Sequence, residues 1–224
     1  MIAQTLRHIG FQTVTLQKDL PRDKLIDSLK MFASEAEKAD WALIYFAGHG
    51  VEMGGVNYLI PIDAKLATDR DVQYEAIGLD QALSAVEGAK KLRLVVLDAC
   101  RDNPFLQGMR RSVATRSIGR GLGAVEPDSG TLVAYAAKDH QIALDGDGQN
   151  SPFASAFAKY MEKPGIEVRR LFDFVRDDVL AATHHQQQPF TYGSLPASQD
   201  FFFVAAPGAN PRSESVENQK DAPL

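Results

Sequence analysis

The chain has 224 residues, of which 45% are hydrophobic, and this is enough apolar material for one domain with a sizeable core. Its single cysteine, Cys100, excludes an internal disulfide and argues against a cysteine-based zinc site. The net charge of −5 gives no indication of a nucleic-acid partner, and no apolar run approaches the roughly 20 residues of a membrane span. We therefore expect neither nucleic acid nor a membrane as a partner.

The first elements in chain order alternate between helix and strand. Apolar residues at helical spacing predict a helix over 2–9, and alternating β-branched residues predict a strand over 11–17. A second amphipathic helix is predicted over 23–39. The run WALIYFA at 41–47 is almost continuously apolar, which is typical of a strand that is covered on both faces of a parallel sheet.

The same alternation continues to residue 206. The predicted elements are a helix over 78–88, a strand over 92–100, a strand over 131–137, helices over 151–163 and 167–183, and a last strand over 200–206. This βαβα order predicts an α/β fold with a mostly parallel central sheet. We expect one domain over 1–206 and a disordered polar tail over 207–224.

Chemically useful side chains stand where two of these strands end. His49 lies between two glycines after the strand 41–47, and Asp98 and Cys100 end the strand 92–100. Functional residues of open α/β sheets gather at the carboxyl ends of strands. His49 and Cys100 are 51 positions apart, which is room for one hairpin and one crossover helix, so we expect the two strands to be neighbours.

A cysteine beside a histidine is a combination that supports nucleophilic catalysis. A thiolate is the nucleophile, and an imidazole can activate it and later protonate a leaving amine. The backbone N–H groups of Gly50 and Cys100 are candidates for stabilising an oxyanion. Taken singly, His49 is also compatible with a hydrogen-bonded structural histidine, and Cys100 with an inert small hydrophobe.

Two motifs resemble the caspase-like cysteine peptidases of clan CD, peptidase family C14. They are YFAGHGVEMGGVNYLIPIDA at 45–64 and LVVLDACRDNPF at 94–105, and the likeness is greatest to the bacterial metacaspase-related branch. The resemblance covers roughly residues 1–205. It implies a three-layer α/β/α sandwich and a thiol protease in which His49 is the general acid/base, Cys100 the nucleophile and Gly50 part of the oxyanion hole.

The resemblance also implies a substrate preference. Asp98 matches the acidic residue that pairs with a basic P1 side chain in metacaspases, so cleavage after Arg or Lys is expected. Alternatively, Asp98 caps a loop or pairs with Arg101. The strand with Ala134, Tyr135 and Ala136 corresponds to the family strand that runs beside the substrate backbone. The caspase pentapeptide Q-A-C-x-G is absent.

One departure from the family concerns its first strand. The family begins with an apolar strand and an acidic motif before the helix that is matched here at 2–9. That strand would lie between 11–17 and 41–47, and without it we expect a weaker core and a half-empty S1 pocket. The alternative function is therefore a catalytically weak caspase-like module that acts as a scaffold or binds a partner.

Smaller features leave further alternatives open. The segment 107–123 contains Arg110, Arg111, Arg116 and Arg120 and is either a solvated loop or an autoprocessing linker. The DGDGQN stretch at 145–150 is either a turn or a fragment of a calcium loop, so calcium activation stays open, and no cofactor or metal is otherwise expected.

The expected partner is a polypeptide substrate. The sequence leaves a monomer and a homodimer formed through 201–206 as alternatives. From this chain the expected location is cytoplasmic, since 1–10 lacks the apolar core of a signal peptide. A periplasmic or secreted location is the alternative if a signal peptide precedes Met1 in a longer chain.

Overall fold

The computed structural model describes residues 1–100, 109–110, 118–119, 122, 129–138, 143–144, 146 and 148–208. Its helices and strands, in chain order, are α1 (Ile2–His8), α2 (Arg22–Ala36), β1 (Trp41–Met53), β2 (Val56–Ile60), α3 (Val72–Glu75), β3 (Ile77–Gly78), α4 (Leu79–Val86), β4 (Leu92–Cys100), β5 (Ile118–Gly119), β6 (Thr131–Tyr135), α5 (Pro152–Met161), α6 (Val168–Ala182) and β7 (Phe190–Gly193).

The strands form one mixed sheet in the order β3-β2-β1-β4-β6-β7, and β5 pairs with the end of β1. The three central strands β1, β4 and β6 are parallel, whereas β2, β3, β5 and β7 pair antiparallel to their neighbours. The β1–β2 hairpin and the helix α4 connect β1 to β4, as the spacing of their motifs predicts. The α/β fold with a parallel centre is confirmed.

Helices cover both faces of this sheet. Leu94 and Val96 of β4 face a core built with α1, α5 and α6, whereas Val95 and Leu97 face a second core built with α2 and α4. This alternation is the two-residue period of a strand that is buried on both faces. The arrangement is the predicted three-layer sandwich. Among the helices described, none combines the length and apolarity that crossing a membrane requires.

Two predicted strands are wrong. Residues 11–17 are extended but join no ladder in the described part of the chain; Phe11 instead packs its ring on Trp41 and Phe203. Residues 200–206 contribute only an isolated bridge between Phe202 and Glu167. Alternating or aromatic residues indicate that a segment can be a strand, but pairing requires a neighbouring backbone edge.

The last aromatic segment has another role. Phe201 and Phe203 are buried in the core beneath α5 and α6, and the Phe201 carbonyl accepts a hydrogen bond from the first residue of α6. The far edge of the sheet is β7 instead, a short strand that the sequence pattern did not predict. The segment 201–206 is therefore not the edge strand through which the alternative homodimer was expected to form, and the choice between monomer and homodimer stays a prediction.

One edge of β1 is open in the described part of the chain. Residues 41–49 pair with β4 on one side, but β2 pairs only with residues 49–53 on the other. The side chains near this edge are correspondingly less buried: in α2 only Ala36 is buried, although Leu25, Leu29 and Phe32 are apolar. The family resemblance predicts an additional strand next to β1, and residues 41–48 have an edge at which such a strand could pair.

Candidate active site

The parallel register of β1 and β4 brings the predicted catalytic residues together. His49 is the partner of Cys100, and two positions earlier Ala47 is the partner of Asp98. Neighbouring strands are about 4.8 Å apart, so the two backbones are adjacent at this point. The expectation that both motifs meet at one place in the sheet is therefore met, although the roles of the residues remain predictions.

The sequence suggested that the strand ends at His49, but the structure places His49 inside the strand. β1 continues to Met53, and His49 is the residue at which its pairing changes from β4 to β2. The His49 side chain is exposed, while the following residue, Gly50, is buried. The histidine thus stands where two strands diverge from β1, with its side chain accessible to a substrate.

The glycines beside His49 have a steric explanation that the sequence did not reveal. A Cβ atom at Gly50 would lie 2.9 Å from Leu122 Cδ2, and one at Gly48 would lie 2.9 Å from Phe46 Cζ. Real Cβ atoms essentially never approach other atoms so closely, so a larger residue at either position would require the contacted side chain to move. The role of the Gly50 N–H in an oxyanion hole stays a prediction.

Asp98 is held by two hydroxyl groups from distant parts of the chain. The Tyr45 hydroxyl donates to Asp98 Oδ2 over 2.6 Å, and the Ser151 hydroxyl donates to the same oxygen over 2.6 Å. Burial raises the pKa of Tyr45 far above its usual value, and the charge and hydrogen bond of Asp98 raise it further. Tyr45 is therefore a protonated donor throughout the working pH range.

Ser151 connects this group to a helix. It is the N-cap of α5, and its Oγ accepts a hydrogen bond of 2.9 Å from the Ala154 N–H, with Pro152 at the first helical position as predicted. Because Oγ accepts from that N–H, its own proton is available for Asp98. The alternative that Asp98 pairs with Arg101 falls outside the described residues.

Tyr45 and Ser151 were not predicted from the sequence as partners of Asp98. A signal for Tyr45 existed, since a tyrosine two positions before Ala47 shares its strand face and needs a partner for its hydroxyl when it is buried. For Ser151 there was only the capping signal. Each residue is 53 positions from Asp98, so their convergence depends on the tertiary fold.

The three residues predicted to bind substrate along β6 are in the interior. Ala134, Tyr135 and Ala136 are at most 2% exposed. β6 pairs with β4 on one edge and β7 on the other, and Ala136 donates its N–H to Leu97 and accepts from the Gln187 side chain. The backbone groups of 131–136 are therefore paired within the protein, and the role of these three residues in binding substrate stays a prediction.

The remaining predictions are only partly within the described residues. In the segment 107–123, Arg110 is described: its N–H donates to Ala67 and its carbonyl accepts from Asp69, so this backbone is held in a bridge. The three other arginines lie outside the described residues, as do Asp145 and Asp147 of the calcium-like stretch and the tail beyond residue 208. No cluster of three potential metal ligands occurs among the residues described.

Comparisons with known proteins add independent information. A sequence model of the family described as "Caspase domain" matches residues 1–199. The crystal structure of caspase-1 from Spodoptera frugiperda is similar in fold, with a TM-score of 0.62 and 17% sequence identity. The match covers 93% of this chain and 81% of that one. A search of curated proteins finds no match.

Proposed function

Because the chain belongs to the caspase-domain family of cysteine peptidases, we propose that it is an endopeptidase that cleaves peptide bonds with Cys100 and His49. The observation that carries the proposal is the register of the two central strands, in which these residues are direct partners. Chemistry that uses a thiolate and an imidazole needs the two side chains close together, and partner positions on neighbouring strands are compatible with this.

The proposed reaction is acyl transfer in two steps. The Cys100 thiolate attacks the carbonyl carbon of the scissile bond, and His49 protonates the departing amine as the C–N bond breaks. Water, deprotonated by His49, then hydrolyses the thioester and returns the thiol. Backbone N–H groups of Gly50 and Cys100 are the proposed donors to the oxyanion. No cofactor is needed for this chemistry.

We also propose that the P1 side chain is Arg or Lys. Asp98 is two residues before Cys100, about 6.6 Å along an extended strand, which is within reach of a long P1 side chain. A carboxylate at that distance favours a cationic group and disfavours an acidic one. Hydrogen bonds from Tyr45 and Ser151 support this role, because they hold the carboxylate in one place.

A catalytically weak scaffold is the second candidate, and the open edge of β1 favours it. His49 belongs to the strand whose first eight residues pair on one side only within the described part of the chain. A poorly supported strand holds its functional side chain less firmly, and loss of precise geometry lowers the rate of an enzyme.

Hydrolysis of fluorogenic peptides tests both candidates. We expect the chain to cleave peptides with Arg at P1 and to leave matched peptides with Asp at P1 intact, with and without calcium. Cys100→Ala should lower turnover by more than about a thousandfold, because the nucleophile is lost. Cleavage that persists in Cys100→Ala would refute the proposal, and cleavage only after Asp would refute the role of Asp98.

The scaffold predicts a different outcome. If the open edge limits activity, turnover should be absent in this chain and should appear when an apolar strand is fused before Met1. A scrambled fusion of equal length is the control. Turnover by the chain as it stands would refute the scaffold.

A further inference from the structure

The Asp98 carboxylate receives two hydrogen bonds on one oxygen from groups that the proposed reaction does not use. Tyr45 lies on β1 and Ser151 at the start of α5, and both hydroxyls are 2.6 Å from Asp98 Oδ2. All three side chains are partly buried. Two short bonds to a charged acceptor in such surroundings are strong enough to select one rotamer of the carboxylate.

Both hydroxyl groups are themselves fixed. The Tyr45 ring stacks on Phe157 of α5, with the ring centroids 6.3 Å apart and the planes 5° from parallel. The Ser151 Oγ is fixed by the hydrogen bond from Ala154. Asp98 is thus tied to both β1 and α5, and the start of a helix favours a nearby negative charge.

Resting on the proposed function, we propose that Tyr45 and Ser151 are positioning residues that hold the Asp98 carboxylate where it pairs with a basic P1 side chain. Neither hydroxyl takes part in bond breaking. Their effect is on the selection of substrate. A carboxylate with one fixed rotamer presents its charge at one distance from Cys100, whereas a carboxylate that samples several rotamers presents its charge at several distances.

The simplest alternative is a purely structural role, in which the three residues only join β1, β4 and α5. The two roles differ in what their loss changes. If the hydrogen bonds are only structural, the loss of one lowers the free energy of unfolding and affects all substrates equally. If they position the carboxylate, the loss of one reduces the preference for a charged P1 residue over an uncharged P1 residue of the same shape.

The test compares peptides with arginine and citrulline at P1, since citrulline has nearly the same shape but no charge. We expect Tyr45→Phe and Ser151→Ala each to lower the ratio of kcat/KM for arginine over citrulline by about tenfold. The change should appear mainly in KM for the arginine peptide. Ser151→Thr keeps a hydroxyl and should restore most of the ratio.

Matched controls separate positioning from stability. Tyr160→Phe removes a hydroxyl from another tyrosine of the same core cluster, and Glu167→Ala removes the N-cap of α6. Both should leave the arginine-to-citrulline ratio unchanged even where the melting temperature falls. An unchanged ratio in Tyr45→Phe and Ser151→Ala, with a lowered melting temperature, would overturn the proposal.

Binding to Cys100→Ala keeps this test separate from the test of the proposed function. Calorimetry with the same two peptides measures the preference without any turnover. A preference for arginine that disappears when Tyr45→Phe is added supports the positioning role even if the wild-type chain proves inactive. Equal binding of arginine and citrulline peptides by Cys100→Ala would overturn the proposal, because the site would then have no preference for a charged P1 residue that Tyr45 and Ser151 could influence.

Discussion

The two central strands β1 and β4 are parallel neighbours with similar apolar sequences, yet they differ in burial. Leu94, Val95, Val96 and Leu97 of β4 are at most 1% exposed, whereas in the first six residues of β1 only Ala42 is buried. β4 has a partner strand on each side, and residues 41–48 of β1 have one within the described part of the chain. Burial of these strands is therefore set by their neighbours, not by their composition.

The proposed catalytic pair lies just beyond these two stretches. Cys100 follows the part of β4 that pairs with β6, which ends at Leu97, and His49 follows the open edge at 41–48. His49 itself pairs with both β4 and β2, so the open edge affects the strand that leads to the histidine and not the histidine's own backbone pairing.

Hydrogen exchange should show the largest difference between the two strands. In a parallel strand alternate residues bond to opposite sides, so about half of the amides at 41–48 face the open edge. We expect those amides to exchange at least about a hundredfold faster than the amides at 93–98. The exchange is measured residue by residue by NMR. Equal protection in both strands would mean that something else covers the edge.

A matched pair of core substitutions should show the same difference in stability. Leu43 and Leu94 are direct partners and face the same core cluster. We expect Leu94→Ala to lower the free energy of unfolding by about 3 kcal/mol, because it leaves a closed cavity, and Leu43→Ala by about 1 kcal/mol. Urea denaturation measures both. Equal losses would contradict the link between burial and neighbouring strands.

The two glycines beside His49 allow a finer comparison within β1. Gly50→Ala would force its Cβ against Leu122, which is buried, and should lower the free energy of unfolding by about 2 kcal/mol in urea denaturation. In Gly48→Ala the new Cβ contacts only the tip of the partly exposed Phe46 ring, which can rotate away. This substitution should lower the free energy of unfolding by less than about 1 kcal/mol. The double variant Gly50→Ala with Leu122→Ala tests the cause. If steric overlap is responsible, adding Gly50→Ala to Leu122→Ala should cost much less than adding it to the wild-type chain.

Local patterns were sufficient for much of this fold. The apolar run of β4 and the Ser151-Pro152 start of α5 are each encoded within a few residues, and they were predicted correctly. The adjacency of His49 and Cys100 followed from two motifs and the length of chain between them. Such features need no knowledge of distant partners.

Features that depend on distant partners could not be predicted. Residues 11–17 have a strand pattern but no ladder, while β7 was missed because four residues carry too little pattern. The pairing of the β6 backbone with β7 likewise depends on a segment that is distant in the chain. Tyr45 and Ser151 meet Asp98 only because β1, β4 and α5 converge.

Covalent labelling tests the central claim most directly. A peptidyl chloromethyl ketone with arginine at P1 alkylates a catalytic thiolate, because the sulfur displaces chloride, and intact mass together with peptide mapping locates the thioether adduct. We predict one adduct, on Cys100, with a rate that falls at least about a hundredfold in His49→Ala because the thiolate loses its partner. Labelling of Cys100 at the same rate in His49→Ala, or no labelling at all, would contradict a Cys100–His49 peptidase.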